Sequence, residues 1–490
     1  MSRNRTILVT AGIMLSLFLA SMESTVVATA MPTIVGQLGG LEHYSWVFSA
    51  FMLTSTTFVP LYGKLSDIYG RRNLYVIAMG IFLVGSALCG LATDMTQLIW
   101  ARALQGLGAG GVIPLAFILI GEMFSLEQRA RMQGLFSGVW GVSSIVGPLL
   151  GGFVVDQLTW HWIFYINVIP GVIAAALVVS GWQDKPRDAQ RPAIDYAGAA
   201  LLTVGAVVLL LGMMEFGTLR SWALIPASLL MFIALIWVEL RAADPILPIP
   251  LFRDALFSTA IAHGMLTGWA VFGSLSYIPL FVQSVLGTSA TQAGITITPM
   301  LLGWVTASII SARIMIRVGY RRLGLFGTAL FVIGALLMTF IDERSSQIAM
   351  MTFVTMMGVG MGLSIPAFFI GVQTSVERRQ LGTATSTLQF SRSMGGTLGV
   401  SVMGLALSMR LASNLSASGL DPRRVDALLE PLPGMSIDAG ARLALADAIH
   451  LVFVIAFIAA VLGLVSTFFA PRRELKDRAP ENEPVMVSAD

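Results

Sequence analysis

Long runs of apolar residues alternate along this chain with short polar segments. A helix needs about 20 mostly apolar residues to cross a bilayer, and by that measure the pattern predicts about fourteen membrane-spanning helices. Six lie near 7–34, 44–62, 73–92, 97–123, 133–156 and 160–181. A polar linker, GWQDKPRDAQRPAID, leads to two more near 196–216 and 222–239, and a second linker, RAADPILPIPLFRD, leads to six at about 257–286, 291–312, 323–341, 347–371, 381–408 and 443–469. The expected organisation is an N-terminal six-helix bundle over 1–181, a linker with two additional helices over 182–256, and a C-terminal six-helix bundle over 257–470. A tail over 471–490 completes it. The segment at about 409–442 carries Asp421, Asp426, Glu430, Asp438 and the prolines of EPLPG, and reads as a long, solvated external loop.

A weak internal repeat supports two halves. GKLSDIYGRR (Gly63 to Arg72) follows the second span, and IMIRVGYRR (Ile314 to Arg322) follows the second span of the last six. Gly70, Arg71 and Arg72 match Gly319, Arg321 and Arg322, whereas Asp67 falls opposite Ile316. Two six-helix halves with an extra pair between them fit the repeat logic of secondary transporters.

Composition narrows the class. The 490 residues are 56% hydrophobic and 12% charged, with a mean hydropathy of +0.81. Soluble domains carry about 25% charge, so the chain is expected to be an all-α polytopic membrane protein with the lipid bilayer as a partner. The basic residues sit in loops between apolar runs, which argues for orientation in a bilayer and against nucleic acid. Most of the 30 Lys and Arg residues fall in alternate loops, among them Lys64, Arg71, Arg72, Arg129, Arg131, Arg321 and Arg322. The positive-inside rule then puts both termini in the cytoplasm, and the chain is expected in the cell membrane, of a bacterial inner or plasma type. The basic start continues into too long an apolar run for a cleaved signal, so it is expected to be the first helix. One cysteine, Cys89, and four scattered histidines argue against a disulfide or a metal site.

Against that background a few polar residues stand out. Glu23 is the one carboxylate well inside an expected span, where it must be protonated, paired or facing water. Arg102 and Arg392 lie inside spans as well; Arg102 should face a cavity or a partner, and Arg392 is expected to hydrogen-bond between helices. In the loop, Gly63 and Gly70 permit a tight turn. Asp67 can face a helix N-terminus across the half-to-half interface, and Arg71 can reach Glu122. The run Gly147-Pro148-Leu149-Leu150-Gly151-Gly152 places small residues one turn apart beside a bend, as an interface that rocks requires. Gly106 to Gly111 formally matches GxGxxG, but it sits within a span rather than between a strand and a helix, so no nucleotide site is assigned. His263, Met265, Trp269, Phe272, Tyr277 and Gln283 in the ninth span can supply an aromatic, adaptable pocket wall.

These motifs give the chain a clear resemblance to the major facilitator superfamily, in particular its fourteen-helix drug:proton antiporter family. GKLSDIYGRR resembles the superfamily's signature loop, RALQGLGAGG the arginine-containing motif of the fourth helix, and SSIVGPLLGG the antiporter motif GxxxGPxxGG, with Ser143 in the place of its first glycine. ESTVVATAMP resembles the first-helix motif, with Glu23 where Asp is usual. WHWIFYINVIPG, with His161 where Arg is common, and QFSRSMGGTLGVS are further matches.

The resemblance implies a proton-coupled antiporter, not an enzyme, that exports amphipathic, preferentially cationic, small molecules by alternating access. It would act as a monomer with no cofactor, driven by the proton gradient. Glu23 and Arg102 would couple protons; Gly63, Asp67, Gly70, Arg71, Arg72 and Glu122 would switch conformations; Gly147, Pro148, Gly151 and Gly152 would form the rocking interface. Glu23, Gln105, Met265, Trp269, Tyr277 and Arg392 would contact substrate. The same architecture also suits an exporter of one lipid, siderophore or natural product, or a nutrient importer.

Overall fold

A computed structural model of the chain describes residues 3–38, 44–183, 195–214, 218–242, 245, 247, 249–288, 290–377, 380–417 and 439–472. Most of the first linker, residues 418–438 of the expected external loop and residues 473–490 of the tail lie outside the described residues.

The described regular elements are all helical. The first half contains α1 (Arg3–Leu38), α2 (Tyr44–Thr57), α3 (Val59–Tyr69), α4 (Arg71–Gly90), α5 (Met95–Met123), α6 (Leu126–Gln157), the one-turn α7 (Trp162–Tyr165) and α8 (Val168–Gly181). The additional pair is α9 (Tyr196–Met214) and α10 (Ser221–Glu239). The second half contains α11 (Ala255–Leu280), α12 (Ala290–Val318), α13 (Tyr320–Met338), α14 (Gln347–Ser375), α15 (Leu381–Ala417) and α16 (Ala439–Phe468). Side chains start several of them: Asp94 accepts the Gln97 N–H at 2.8 Å, and Asp254 accepts the Leu256 N–H at 2.8 Å.

Twelve described segments are long and apolar enough to cross a membrane, against the about fourteen that hydropathy predicts. The difference falls at the expected second and fifth spans. The second breaks at Phe58 into α2 and α3, because Pro60 has no N–H to continue the ladder and its ring crowds the preceding turn. The fifth corresponds to α6, a continuous helix of 32 residues, more than a bilayer crossing needs, whose side chains are described only in part.

The internal repeat is visible in the backbone. Gly70 joins α3 to α4 at φ 95° and ψ 147°, and Gly319 joins α12 to α13 at φ 85° and ψ 149°. L-residues avoid this region, so both corners require glycine. The central helices also correspond: α5 and α14 each have 29 residues and one internal proline, Pro114 or Pro366.

Packing closes one end of the molecule. An apolar cluster that includes Phe117, Phe136, Ala307, Phe369 and Ala384 draws on both halves. Two other clusters are segregated, one within residues 22–164 and one within 270–460. The shared cluster lies toward the end that carries the Gly63–Arg72 loop. There a side chain on Gly63 would collide with Ser386, and the Phe117 and Phe369 rings lie 5.1 Å apart. The α9–α10 pair packs at the seam between the halves: Ala206 and Leu210 cluster with Met394 of α15, flanked by Leu53 of α2. Large apolar side chains stay exposed on the outward faces, for example Trp100, Ile169 and Leu230, as lipid-facing helices require.

Candidate functional site

Glu23 on α1 is 1% exposed and Arg102 on α5 is wholly buried. The Arg102 guanidinium donates to Glu23 Oε1 and to Gln105 Oε1, both at 2.7 Å, while its Nε donates to the Val47 carbonyl at 3.2 Å. The Phe51 ring lies 4.2 Å from the guanidinium carbon. On the other side, Asn167 Nδ2 donates to Glu23 Oε2 at 2.7 Å and to Ser86 Oγ at 3.0 Å. Ser86 also receives Gln105 Nε2 at 3.1 Å and donates to the Phe164 carbonyl at 2.9 Å. A buried ion pair survives only when its hydrogen bonds compensate for lost hydration, and here each carboxylate oxygen has a charged or amide donor. One acceptor is left over: Asn167 Oδ1 is buried without a partner beside Glu23 Oε2.

Between the halves lies a cavity of about 240 Å³. Phe117, Phe136 and Trp140 line it from the first half, and Phe272, Trp304 and Arg392 from the second. Ser21 and Thr25 of α1 line it as well. Residues two apart on a helix point about 200° apart, so α1 turns Ser21 and Thr25 to the cavity and Glu23 away from it, into the first half. Ser143, the residue in the first-glycine position of the antiporter-like motif, accepts the Ser21 hydroxyl at 2.6 Å. Gly147, one turn further along α6, leaves room for Thr25.

At the closed end, Arg71 bridges two carboxylates: it pairs with Asp67 at 3.0 Å and with Glu122. The other oxygen of Asp67 reaches the second half. It accepts the Thr383 backbone N–H and the Thr383 hydroxyl, each at 3.1 Å, in the first turn of α15. A side chain on Gly382 would meet the Asp67 carboxylate, so the approach needs that glycine. Asp67 lies beyond the end of its apolar run, and burial pushes its carboxyl up to about 6 despite Arg71, Thr383 and Lys64 nearby.

Two halves around a central cavity, with one charged loop spanning them, form a transporter-like frame, and comparison with known proteins agrees. The family profile described as Major Facilitator Superfamily matches residues 13–400. The chain belongs to the Major Facilitator Superfamily. Multidrug transporter protein MdtP of Bacillus subtilis (strain 168) is 38% identical, an alignment covering 90% of this chain and 81% of the relative. Multidrug resistance protein 3 of the same organism is 34% identical, covering 96% of each. Among solved structures, the proton:xylose symporter XylE shares the fold at a TM-score of 0.64 and 12% identity, covering 95% of this chain and 96% of that one. The human organic anion transporter MFSD10 does so at 0.64 and 16%, covering 94% and 100%. The protein is therefore a multi-pass membrane protein and a secondary transporter, and its superfamily is not one of enzymes.

Within this superfamily frame the residues expected to contact substrate separate. Arg392 lines the cavity; Glu23 and Gln105 belong to the buried network. Met265 and Trp269 pack on Gly395 and Gly399 of α15, and the Tyr277 hydroxyl donates to the Val400 carbonyl at 2.9 Å. His263 is buried against Phe368 and Thr328. Arg392 donates to Gln389 at 2.9 Å, three residues back on its own helix, rather than to a neighbouring helix as expected. Of the GxGxxG match, Gly106 and Gly108 face the backbones of α2 and α4 and Gly111 faces Ala78 and the Tyr62 ring, so all three serve close packing. Pro148 and Gly152 fall within α6, Gly151 is buried there, and Arg72 lies in the first turn of α4. Asn167, Ser86, Ser21 and Thr25 escaped the sequence reading. Thr25 and Asn167 fall inside the family-like stretches ESTVVATAMP and WHWIFYINVIPG, whereas Ser21 and Ser86 show only polarity within an apolar run, which many self-satisfied helix serines share.

Proposed function

We propose that this protein is a proton-coupled antiporter that exports amphipathic small molecules by alternating access, with the Gly63–Arg72 end in the cytoplasm. The carrying observation is the buried Glu23–Arg102 pair, set on the face of α1 opposite the one that lines the cavity. The names of the two Bacillus relatives support efflux, and the distribution of basic loops supports the orientation. In that orientation the described conformer is closed toward the cytoplasm.

The proton and the cargo occupy separate places on one helix. Cargo rests in the cavity against Ser21 and Thr25; the proton is taken up by Glu23. Protonation removes the charge that holds Arg102 and turns one carboxylate oxygen into a donor. Asn167 can accept that O–H by turning its amide, which gives its unpartnered oxygen a role. Loss of the ion pair loosens α1 from α5, and α1 transmits the change through Ser21–Ser143 to α6 and the cavity wall. A transmembrane potential supplies about 2.3 kcal/mol per charge per 100 mV to drive the cycle. The extra pair α9–α10, packed at the seam, bounds the movement of the two halves.

The test is transport by the purified full chain in proteoliposomes. Glu23→Gln should abolish accumulation driven by a pH gradient while retaining substrate counterflow. Undiminished gradient-driven accumulation by the variant removes Glu23 from the mechanism.

A further inference from the structure

The charge on the cavity wall points to a particular cargo. Arg392 is the one ionised side chain among the described residues that line the cavity, and no carboxylate joins it there. Its described partner is the neutral Gln389 amide, which engages one guanidinium nitrogen at 2.9 Å. None of the ion pairs found among the described residues includes Arg392. This contrasts with Arg102, whose charge is answered by Glu23 within the same membrane region. A guanidinium in an apolar wall, with donors to spare, is matched by a planar oxyanion, which it can bind through two parallel N–H groups.

The rest of the wall fits the remainder of such a molecule. Phe136, Trp140, Phe272 and Trp304 present aromatic surface to a cavity of about 240 Å³, larger than the roughly 150 Å³ that encloses a single benzene. Aromatic faces also attract cations, so rings alone do not decide between charges. The guanidinium does, because it repels a cation at short range in a medium of low dielectric, and the carboxylate expected to receive a cation, Glu23, faces away and is bonded to Arg102.

We infer that the cavity takes amphipathic organic anions, a ring system bearing a carboxylate or sulfonate, with Arg392 as the anchor of the acidic group and the aromatic wall holding the rings. This rests on the proposed transport function and replaces the cationic preference that the family resemblance suggested. The energetics agree. An anion leaving an interior at negative potential is driven outward by that potential, and every proton entering adds to the drive.

The experiment compares three fluorescent probes in proteoliposomes of the full chain under an imposed pH gradient. They are anilinonaphthalene sulfonate, phenylnaphthylamine (the same rings without the sulfonate) and cationic ethidium. Wild-type protein should accumulate the sulfonate saturably. Arg392→Gln should raise the half-saturating concentration of the sulfonate about tenfold more than that of phenylnaphthylamine, a difference expected for one charge-assisted contact, with Arg392→Lys between. Equal effects on both probes, or accumulation of ethidium or phenylnaphthylamine without the sulfonate, overturn the anion assignment and leave the transport function standing. Accumulation of none of the three overturns both. Should Arg392→Gln not fold, competition on wild-type protein decides: the sulfonate must suppress phenylnaphthylamine uptake more strongly than ethidium does, and the reverse order overturns the inference.

Discussion

The Asp67 carboxylate accepts the backbone N–H of Thr383 at 3.1 Å, across 316 positions of sequence and from one half of the molecule to the other. Asp67 thereby caps α15, whose first-turn N–H groups lack intrahelical partners and carry the positive end of the helix dipole. Because Arg71 ties the same carboxylate to Glu122, α3, α4, α5 and α15 meet at one point.

Asp67→Asn keeps an oxygen for the Thr383 N–H but removes the charge that Arg71 and the helix dipole favour. Transport in proteoliposomes should slow by about tenfold, equivalent to about 1.4 kcal/mol, with an unchanged thermal midpoint. An unaltered rate would show that this contact does no more than pack.

The same carboxylate makes the closed end sensitive to pH. Its pKa is raised from 3.8 to about 6, so the closed arrangement holds a proton that a solvated Asp67 releases. By linkage the closed end loses stability as pH rises from 3.8 through about 6, and gains it on acidification. Distance measurements between spin labels on α3 and α15 should therefore show more of the short distance at pH 5 than at pH 7. Asp67→Asn should flatten that difference; a shift toward separation at pH 5 contradicts it.

Removing one member of the buried pair should harm the fold more than removing both. Arg102→Met leaves Glu23 buried with its charge unanswered and should cost about 3–5 kcal/mol. Glu23→Gln with Arg102→Met should recover a large part of that stability without recovering gradient-driven transport. Thermal unfolding in detergent, paired with the transport assay, separates the two effects.

Gly319 offers a cleaner test of backbone demand than most sites. A Cβ there meets nothing within 4 Å, yet φ is 85°. Gly319→Ala should destabilise by about 1–3 kcal/mol through conformation alone. Gly80→Ala, also in open space but within the helix α4, should be neutral or stabilising by up to about 1 kcal/mol. Equal thermal midpoints for the two variants would refute the assignment of the corner to glycine.

Much of this protein was decided by local chemistry that a sequence carries openly. Apolar runs of bilayer length can only be helices in lipid, since every backbone group must be satisfied within its own segment. The halves were legible because Gly70 and Gly319 recur before basic pairs, and a positive φ admits little else. Glu23 and Arg102 were legible as anomalies, because an ionised group in an apolar run demands a partner. What only the tertiary structure decided is which partner each polar group meets and which way it faces. Ser86 and Asn167 are unremarkable along the chain and become meaningful only where α4 and the α7–α8 turn converge on Glu23. Arg392 is an equally anomalous charge, yet folding gives it a cavity instead of a carboxylate. Helical phase turns Glu23 one way and Ser21 and Thr25 the other, and the packing of the two halves then separates the ion pair from the cavity.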